Sequence, residues 1–186
     1  MKITSIGSVH GRFQLFHNDH LRYITTALNQ CDIIIIGITS YVNSELTYID
    51  KASHRSIPKN NPFTYYERTQ IISSALDECG IQSNRYFFTP FPIETPDILY
   101  QFIPVNIACF TTVYDDWNRE KVKILEEYGY QVNVLWESDN KLITGSNLRE
   151  KIIIGDESWM EDVPKATIEA VNVLNIRHRL KRQVLS

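Results

Sequence analysis

The sequence predicts an α/β protein with a parallel sheet and helices on both faces. Short β-branched runs alternate along the chain with amphipathic segments of helical period, and most links between them are short. The run 32–38, Asp-Ile-Ile-Ile-Ile-Gly-Ile, is apolar on both faces, as a central strand of a parallel sheet must be. Ligands of such sheets bind beyond the carboxyl ends of the strands, where the strand order reverses. The loop after the first strand is therefore the first place to look for a site.

The first part of the chain predicts a strand, a helix and a second strand. A strand at 2–9 runs into a loop at 10–16 that lacks a helical period. Apolar residues then recur at helical spacing over 19–30, and the strand 32–38 follows. This order is the opening of a parallel strand-helix-strand unit.

A capping box marks the start of the next helix. Thr64 can accept the backbone N–H of Glu67, the Glu67 carboxylate can reach back to Thr64, and Gly80 ends the helix. The remaining predicted elements are strands at 86–89, 106–112 and 131–136, and helices at 116–128, 146–154 and 165–174.

The composition predicts one domain over residues 1–186. At 186 residues and 43% hydrophobic content the chain can bury one core. Residues 40–62 are polar and lack periodicity, which indicates a long loop or insertion, and residues 163–186 form a C-terminal helical segment. The loop could bind an acceptor or close as a lid, although a solvated insertion is the default. Its candidate contact residues are Asp50, Lys51, His54 and Arg55.

Charge and hydropathy exclude several classes of partner. A net charge of −3 and a pI near 5.9 give no broad basic field, so no nucleic-acid partner is expected. The basic stretch 177–182 is interpreted as a solvated helix end or an oligomer contact, which leaves a homo-oligomer open. The chain has no apolar run of membrane-spanning length and its first residues lead into a strand, which predicts a cytoplasmic protein without a membrane partner. The three widely spaced cysteines favour buried free thiols: Cys31, Cys79 and Cys109.

The loop after the first strand carries the first candidate site. Its sequence over 11–20, Gly-Arg-Phe-Gln-Leu-Phe-His-Asn-Asp-His, places His17 and His20 three residues apart at a helix start. The two imidazoles can face one point where unpaired backbone N–H groups already attract anions, which predicts a site for the phosphates of a nucleoside triphosphate. Gly11 lets the backbone approach a ligand, and Arg12 accompanies it. The alternative is a capping pair of histidines without a ligand.

A second loop also becomes a helix after a strand. The string Thr-Gly-Ser-Asn-Leu-Arg at 144–149 offers hydroxyls from Thr144 and Ser146 and a bare backbone at Gly145. Arg149, one turn in, can fork onto phosphate oxygens. Taken alone, this string favours an ordinary helix cap followed by a solvated arginine.

The two strings together resemble the HxGH nucleotidyltransferases, whose signatures are GRFQPFHxGH and a distal S/T-G-S/T-x-x-R in the same order. The string Asn-Pro-Phe-Thr-Tyr-Tyr-Glu-Arg at 61–68 is similar to the NPFTxxER element of the archaeal-type nicotinamide-nucleotide adenylyltransferases. Segments 86–92 and 127–132 are similar to that group's later strand and helix ends. The likeness covers most of the chain.

The resemblance implies a Rossmann-like (HUP-type) domain that transfers AMP from ATP to nicotinamide or nicotinate mononucleotide, releases pyrophosphate, and uses Mg²⁺. The catalytic residues implied by position are Arg12, His17, His20 and Arg149. The further ATP contacts implied are Gly11, Phe13, Thr144, Gly145 and Ser146. Arg68 and Tyr100 are implied as acceptor contacts, with Tyr100 as a platform for the pyridine ring. A packed aromatic in an amphipathic segment is the equal alternative for Tyr100.

Two positions depart from the family pattern. Leu15 stands where the family has Pro, and Asp19 stands where it has Gly before the second histidine. A bare backbone at the second position lets an adenine ring pack close, so Asp19 leaves the choice of nucleobase open. Asp19 could cap the first helix, help to hold magnesium or an acceptor hydroxyl, or crowd the base pocket and bring a negative charge towards a polyphosphate.

The expected chemistry is in-line attack of an acceptor phosphate on the α-phosphorus. The acceptor is already an anion and needs no general base, so positioning and charge neutralisation are expected to dominate. The sequence shows no carboxylate cluster that would hold Mg²⁺ alone, so the triphosphate is expected to bring most of its ligands. The alternatives are a cytidylyltransferase, a phosphopantetheine adenylyltransferase and a catalytically weakened nucleotide-binding sensor.

Overall fold

A computed structural model describes residues 3–42, 60–140 and 143–184. Contacts divide the chain into two compact units that interleave along the sequence. The first comprises Met1–Arg12, Arg22–Tyr41 and Gln82–Lys141, and the second comprises Phe13–Leu21, Val42–Ile81 and Leu142–Ser186. The single domain over 1–186 stays a prediction. Most of the loop predicted at 40–62, including Asp50, Lys51, His54 and Arg55, lies outside the described residues.

The first unit contains a five-stranded parallel sheet. Its strands are β1 (Ile6–Gly11), β2 (Ile33–Ile38), β3 (Tyr86–Pro90), β4 (Ala108–Val113) and β5 (Val132–Glu137). The order across the sheet is β3-β2-β1-β4-β5, and every neighbouring pair is parallel. This topology confirms the predicted α/β class and places the reversal of strand order between β1 and β4.

Strand β1 lies further along the chain than the sequence predicts. It begins at Ile6 and includes His10 and Gly11, which the sequence assigned to a loop. The physical reason is the β-branched run on β2, because the pairing continues in register from Ile6 opposite Ile33 to Gly11 opposite Ile38. A strand can extend through polar residues when its neighbour supplies the ladder.

Two longer helices accompany the sheet. Helix α1 (Asn18–Leu28) begins in the second unit and continues into the first from Arg22 onward. Helix α3 (Asp116–Glu127) contacts β4 and β5, and the Asp115 side chain caps it by accepting the Asn118 N–H at 2.8 Å.

The second unit is helical. Its complete helices are α2 (Tyr65–Glu78), α4 (Gly145–Ile154), α5 (Lys165–Val173) and α6 (Ile176–Val184). Helix α5 packs against α2 and α6, and α6 also contacts α4. The capping box predicted for α2 is confirmed, since Thr64 Oγ1 accepts the backbone N–H three residues on and the reciprocal carboxylate bond is also present.

The cysteine prediction is right for two of the three thiols. Cys31 and Cys109 are buried and free, but Cys79 is free and exposed. Cys79 caps the end of α2, one residue beyond the helix, so it is turned away from the apolar stripe that its spacing suggested. In the described part of the chain, no helix is long and apolar enough to cross a membrane.

Candidate active site

The two histidines of the first motif form the start of α1. The carbonyl of His17 accepts the backbone N–H of Leu21 at 3.1 Å, so His17 occupies the N-cap position and His20 the third helical position. The Nδ1 atom of His20 accepts the backbone N–H of His17 at 3.4 Å, in the manner of the glutamate of a capping box. With Nδ1 as the acceptor, a neutral His20 carries its proton on Nε2, which is then a hydrogen-bond donor.

Ring stacking fixes the two imidazoles. Their centroids lie 3.6 Å apart and their planes differ by 20°. His20 also stacks on Phe16 at 5.8 Å and meets Phe13 edge-on at 5.1 Å. Phe13, Phe16 and His17 are buried, whereas His20 is half-buried. The structure therefore brings the two histidines together at a helix N-terminus.

The two departures from the family pattern take different environments. Leu15 is fully buried. Asp19 is half-buried at the second position of α1, in the first turn, where a carboxylate interacts favourably with the helix dipole. The N-cap position belongs to His17, so the expectation that Asp19 caps the helix is wrong.

Arg149 of the second motif is a buried cation that contacts the first motif. Its Nη1 donates to the carbonyl oxygen of Gln14 at 2.7 Å, and its Nη2 donates to Asn60 Oδ1 at 2.9 Å and Ser146 Oγ at 3.0 Å. Only 3% of the residue is exposed, so the solvated arginine of the ordinary-cap alternative is wrong. Burial lowers the pKa of Arg149 to about 10, which still leaves it charged at neutral pH. All three acceptors are neutral, and the negative charge of neighbouring Glu150 offsets part of the effect of burial on the pKa of Arg149.

The start of α4 lies directly against the backbone of the first motif. Thr144 caps the helix by accepting the Asn147 N–H at 3.2 Å. A Cβ added to Gly145 would collide with the carbonyl oxygen of Gln14, so only glycine allows this approach. Ser146 is exposed beside Arg149. The structure thus joins the two signature strings through contacts inside the second unit.

Gln14 and Asn60 are site residues that sequence reasoning missed. The amide of Gln14 bonds the backbone of Phe63 twice, with Nε2 donating to its carbonyl at 2.7 Å and Oε1 accepting its N–H at 3.0 Å. Gln14 therefore connects the first motif to the loop before α2, as Asn60 connects that loop to Arg149. The position of Gln14 inside the signature was the available signal, but Asn60 in a polar loop gives none.

Arg68 is buried at the start of α2. It is 1% exposed, and its Nε donates to the Thr64 carbonyl at 3.3 Å. Burial lowers its pKa to about 10. Thr64 follows Phe63, the residue that Gln14 bonds, so Arg68 is connected to the same bonded network through Thr64. Its predicted contact with an acceptor stays a prediction.

The remaining predicted site residues belong to the first unit. Gly11 ends β1, and its carbonyl accepts the N–H of Thr39 at 3.0 Å. Arg12 follows and is half-buried. Tyr100 lies in a short 3₁₀ helix, Pro96–Gln101, and is 60% exposed. The packed-aromatic alternative for Tyr100 is therefore wrong.

A buried polar arrangement separates β1 from β4 near their carboxyl ends. The hydroxyl of Tyr23 donates to the Phe110 carbonyl at 2.6 Å and accepts the His10 N–H at 3.2 Å, bridging the strands beyond their short ladder. The His10 ring stacks on Phe91 at 4.3 Å, and its two nitrogens have no hydrogen-bond partner among the described residues. Burial, reinforced by Lys121, holds the pKa of His10 well below its ordinary value, so the ring is neutral. Sequence analysis did not anticipate this arrangement.

Comparison with known proteins identifies the family of this chain. The model of a family described as cytidylyltransferase-like matches residues 9–157. A phosphonoformate cytidylyltransferase from Streptomyces viridochromogenes is 32% identical over 180 residues, which cover 97% of each chain. A nicotinamide-nucleotide adenylyltransferase from Thermococcus onnurineus is 31% identical over 172 residues, which cover 92% of this chain and 84% of that relative.

A solved structure shares the fold. It is a bifunctional NMN adenylyltransferase/ADP ribose pyrophosphatase from Francisella tularensis, complexed with AMP and a manganese ion. The TM-score is 0.66 at 21% sequence identity, and the match covers 95% of this chain and 51% of that protein. At this identity the likeness establishes the fold, and this chain spans about half the length of the bifunctional protein.

A parallel sheet of this strand order, with one signature string after β1 and another at the start of α4, defines a nucleotidyltransferase. The family match extends over most of the chain. The chain belongs to the cytidylyltransferase-like family of enzymes.

Proposed function

We propose that this enzyme transfers AMP from ATP to nicotinamide or nicotinate mononucleotide, giving NAD or its deamido form and pyrophosphate. The observation that carries the proposal is the 2.7 Å bond from Arg149 Nη1 to the Gln14 carbonyl, because it brings the two signature strings into direct contact. Relatives named nicotinamide-nucleotide adenylyltransferase, 29–31% identical over 92% of this chain, support the choice of acceptor.

In this proposal the start of α1 binds the triphosphate. The backbone N–H groups of the first turn, together with the side chains of His17 and His20, donate to phosphate oxygens. Arg149 supplies positive charge from a fixed position, and Arg12 supplies a second cation. The other proposed ATP contacts are Gly11, Phe13, Thr144, Gly145 and Ser146.

The transfer forms one bond and breaks one. An oxygen of the acceptor phosphate attacks the α-phosphorus, the bond from that phosphorus to the bridging oxygen breaks, and pyrophosphate leaves with the electron pair. No proton has to be removed from the acceptor. The protein therefore acts through orientation and through donors aimed at the developing charge.

Mg²⁺ is proposed to bind as part of the triphosphate substrate. The described residues contain no group of three or more His, Cys, Asp or Glu side chains that could hold a metal ion. Hydrated Mg²⁺ bound through substrate phosphates is the common arrangement in nucleotide enzymes.

Acceptor binding is proposed for Arg68 and Tyr100. The exposure of Tyr100 leaves its ring available to stack on a pyridine ring. The guanidinium of Arg68 is buried, and its positive charge would attract an anionic acceptor without direct contact. A cytoplasmic location, and the absence of nucleic-acid and membrane partners, accompany this proposal.

Cytidylyl transfer from CTP to a small phosphonate or phosphate is the second candidate. The relative named phosphonoformate cytidylyltransferase favours it, since the match covers 97% of both chains. Asp19 also favours it, because the family glycine that lets adenine approach is absent at this position.

A substrate matrix separates the candidates. Pyrophosphate release would be measured with ATP and CTP against both pyridine mononucleotides, phosphonoformate and phosphopantetheine, and products would be identified by mass. The proposal predicts NAD or its deamido form from ATP. Products formed only from CTP would replace it with the second candidate. If no combination of nucleotide and acceptor released pyrophosphate, a nucleotide-binding sensor would be the remaining alternative.

A further inference from the structure

Arg179 of α6 is bonded into the second unit instead of being solvated. Its Nη1 donates to the Pro62 carbonyl at 2.6 Å and to Glu67 Oε2 at 2.8 Å, and its Nη2 donates to Glu67 Oε1 at 3.0 Å. The side chains of Arg179 and Glu67 are 33% and 16% exposed. The sequence-based interpretation of the stretch 177–182 as a solvated end is therefore wrong at this residue. A bidentate arginine-carboxylate pair is also more specific in geometry than a single contact.

Glu67 connects Arg179 to the start of α2. Its Oε2 also accepts the backbone N–H of Thr64 at 2.8 Å, as the reciprocal bond of the capping box. Burial opposes the ionisation of Glu67, but the bonds from Arg179 and Thr64 outweigh it and hold the pKa of Glu67 below its ordinary value. One carboxylate thus fixes both the helix start and the link to α6.

The segment 60–67 that Arg179 contacts is also the segment that contacts the signature strings. Gln14 bonds both backbone groups of Phe63, the residue after the Arg179-bound Pro62. At the beginning of the segment, Asn60 Oδ1 accepts from Arg149 at 2.9 Å. The segment is therefore held by α6 on one side and by the two signature strings on the other.

We propose that Arg179 is a positioning residue that holds segment 60–67 in place for the nucleotide site. The proposal rests on the proposed function, because the site is a nucleotide site only if the enzyme binds a triphosphate there. Its effect on substrate passes through Gln14 and Arg149, which take their geometry from this segment.

The test compares four single variants and one double variant with wild type by ATP affinity, steady-state kinetics, thermal unfolding and hydrogen exchange over 60–67. Arg179→Ala removes the fork, and Arg179→Lys keeps the charge without the fork. Glu67→Gln breaks the ion pair from the other side while retaining an acceptor for the cap. Arg182→Ala is the matched control, since Arg182 is an exposed arginine on the same helix.

The expected result is a local loosening with a loss of nucleotide affinity. Arg179→Ala should raise the dissociation constant for ATP about tenfold and speed exchange over 60–67, since residues of one bonded network are coupled by energies of this order. Arg179→Lys should restore part of the affinity, and Arg182→Ala should match wild type. Combining Arg179→Ala with Glu67→Gln should add little to either single change, because both remove one ion pair.

Three results would overturn the inference. These are unchanged exchange over 60–67, an ATP affinity in Arg179→Ala equal to wild type, or an equal loss in the Arg182→Ala control. If Arg179→Ala does not fold, Glu67→Gln and Arg179→Lys decide by the same readouts. A wild-type protein that binds no nucleotide refutes the proposed function, and that outcome is distinct from an active wild type whose affinity ignores Arg179.

Discussion

The starts of α1 and α4 carry the two signature strings, and they use their residues differently. At α1 the side chains His17 and His20 stack on each other, with His20 half-buried at the helix start. At α4 the contacts to the rest of the site are made by a bare backbone at Gly145 and by the buried Arg149. In the proposed site the start of α1 presents donors to the nucleotide, and the start of α4 holds the backbone of Gln14 in place. A short signature can therefore specify both the groups that meet a ligand and the contacts that assemble them.

The largest effect is expected at α1. His20→Ala should lower turnover on the order of a hundredfold or more, because one preorganised donor to a transition state is typically worth that much. Turnover would be followed by pyrophosphate release, with thermal unfolding as the check on the fold.

His20→Asn separates chemistry from capping. Its amide oxygen can replace Nδ1 as acceptor for the His17 N–H, but it lacks the donor at the Nε2 position. We expect the stability of this variant to resemble wild type and its turnover to resemble His20→Ala. Near wild-type turnover in either variant would remove the imidazole from the mechanism.

At α4 the backbone contact is tested by Gly145→Ala. The new methyl group would collide with the Gln14 carbonyl, so the helix start must shift and Arg149 with it. Overpacking of this kind costs about 1–3 kcal/mol of stability, and ATP affinity should fall with it. The matched control Asn147→Ala, exposed in the same turn, should stay within about 0.5 kcal/mol of wild type. Stability would be measured by urea unfolding and ATP affinity by titration. Wild-type values of both in Gly145→Ala would contradict the contact.

Arg149→Lys tests whether α4 needs a fork. Lysine keeps the charge but cannot reach the three acceptors that the guanidinium bonds. We expect ATP affinity to weaken about tenfold, equivalent to ~1.4 kcal/mol, without unfolding. If calorimetry gave the same ATP affinity for Arg149→Lys and wild type, residues 144–149 would be an ordinary helix cap without a role in binding.

The smallest effect on ATP affinity and activity is expected for Asp19→Gly. The direction of the change distinguishes the two roles considered for Asp19. If Asp19 crowds the base, ATP should bind more tightly because a nearby carboxylate is removed and the backbone is freed. If Asp19 holds an acceptor hydroxyl or magnesium, activity should fall. Loss of its favourable position in the first turn would lower stability by about 0.3–1 kcal/mol in either case. Tighter ATP binding with undiminished turnover would exclude a functional role for Asp19.

Local patterns in the sequence predict most of the fold. The isoleucine run of β2 and the capping box of α2 are short-range signals, and both elements form where they are expected. The burial of α3 is harder to predict, because its buried face includes the charged Lys121 beside Trp117 and Leu125. A long lysine stem can be buried along an apolar surface, which a binary pattern does not reveal.

The site is predicted in its residues but not in its assembly. The signature strings identify both histidines and Arg149, yet the contacts that join them connect residues far apart in the chain. Gln14 bonds Phe63 across 49 positions, Arg149 reaches Gln14 across 135, and Arg179 reaches Glu67 across 112. No local period in the sequence encodes such pairings. Arg179 was therefore predicted to lie on the surface, whereas the structure pairs it with Glu67.

The most direct test of the central claim is hydrogen exchange with and without ATP and Mg²⁺. The claim is that the starts of α1 and α4 serve one nucleotide. Backbone amides of residues 14–22 and 144–150 should both gain protection when ATP binds, because ligand contact stabilises the bonded network at both helix starts. Protection confined to one of the two stretches, at a concentration that saturates binding, would contradict the claim.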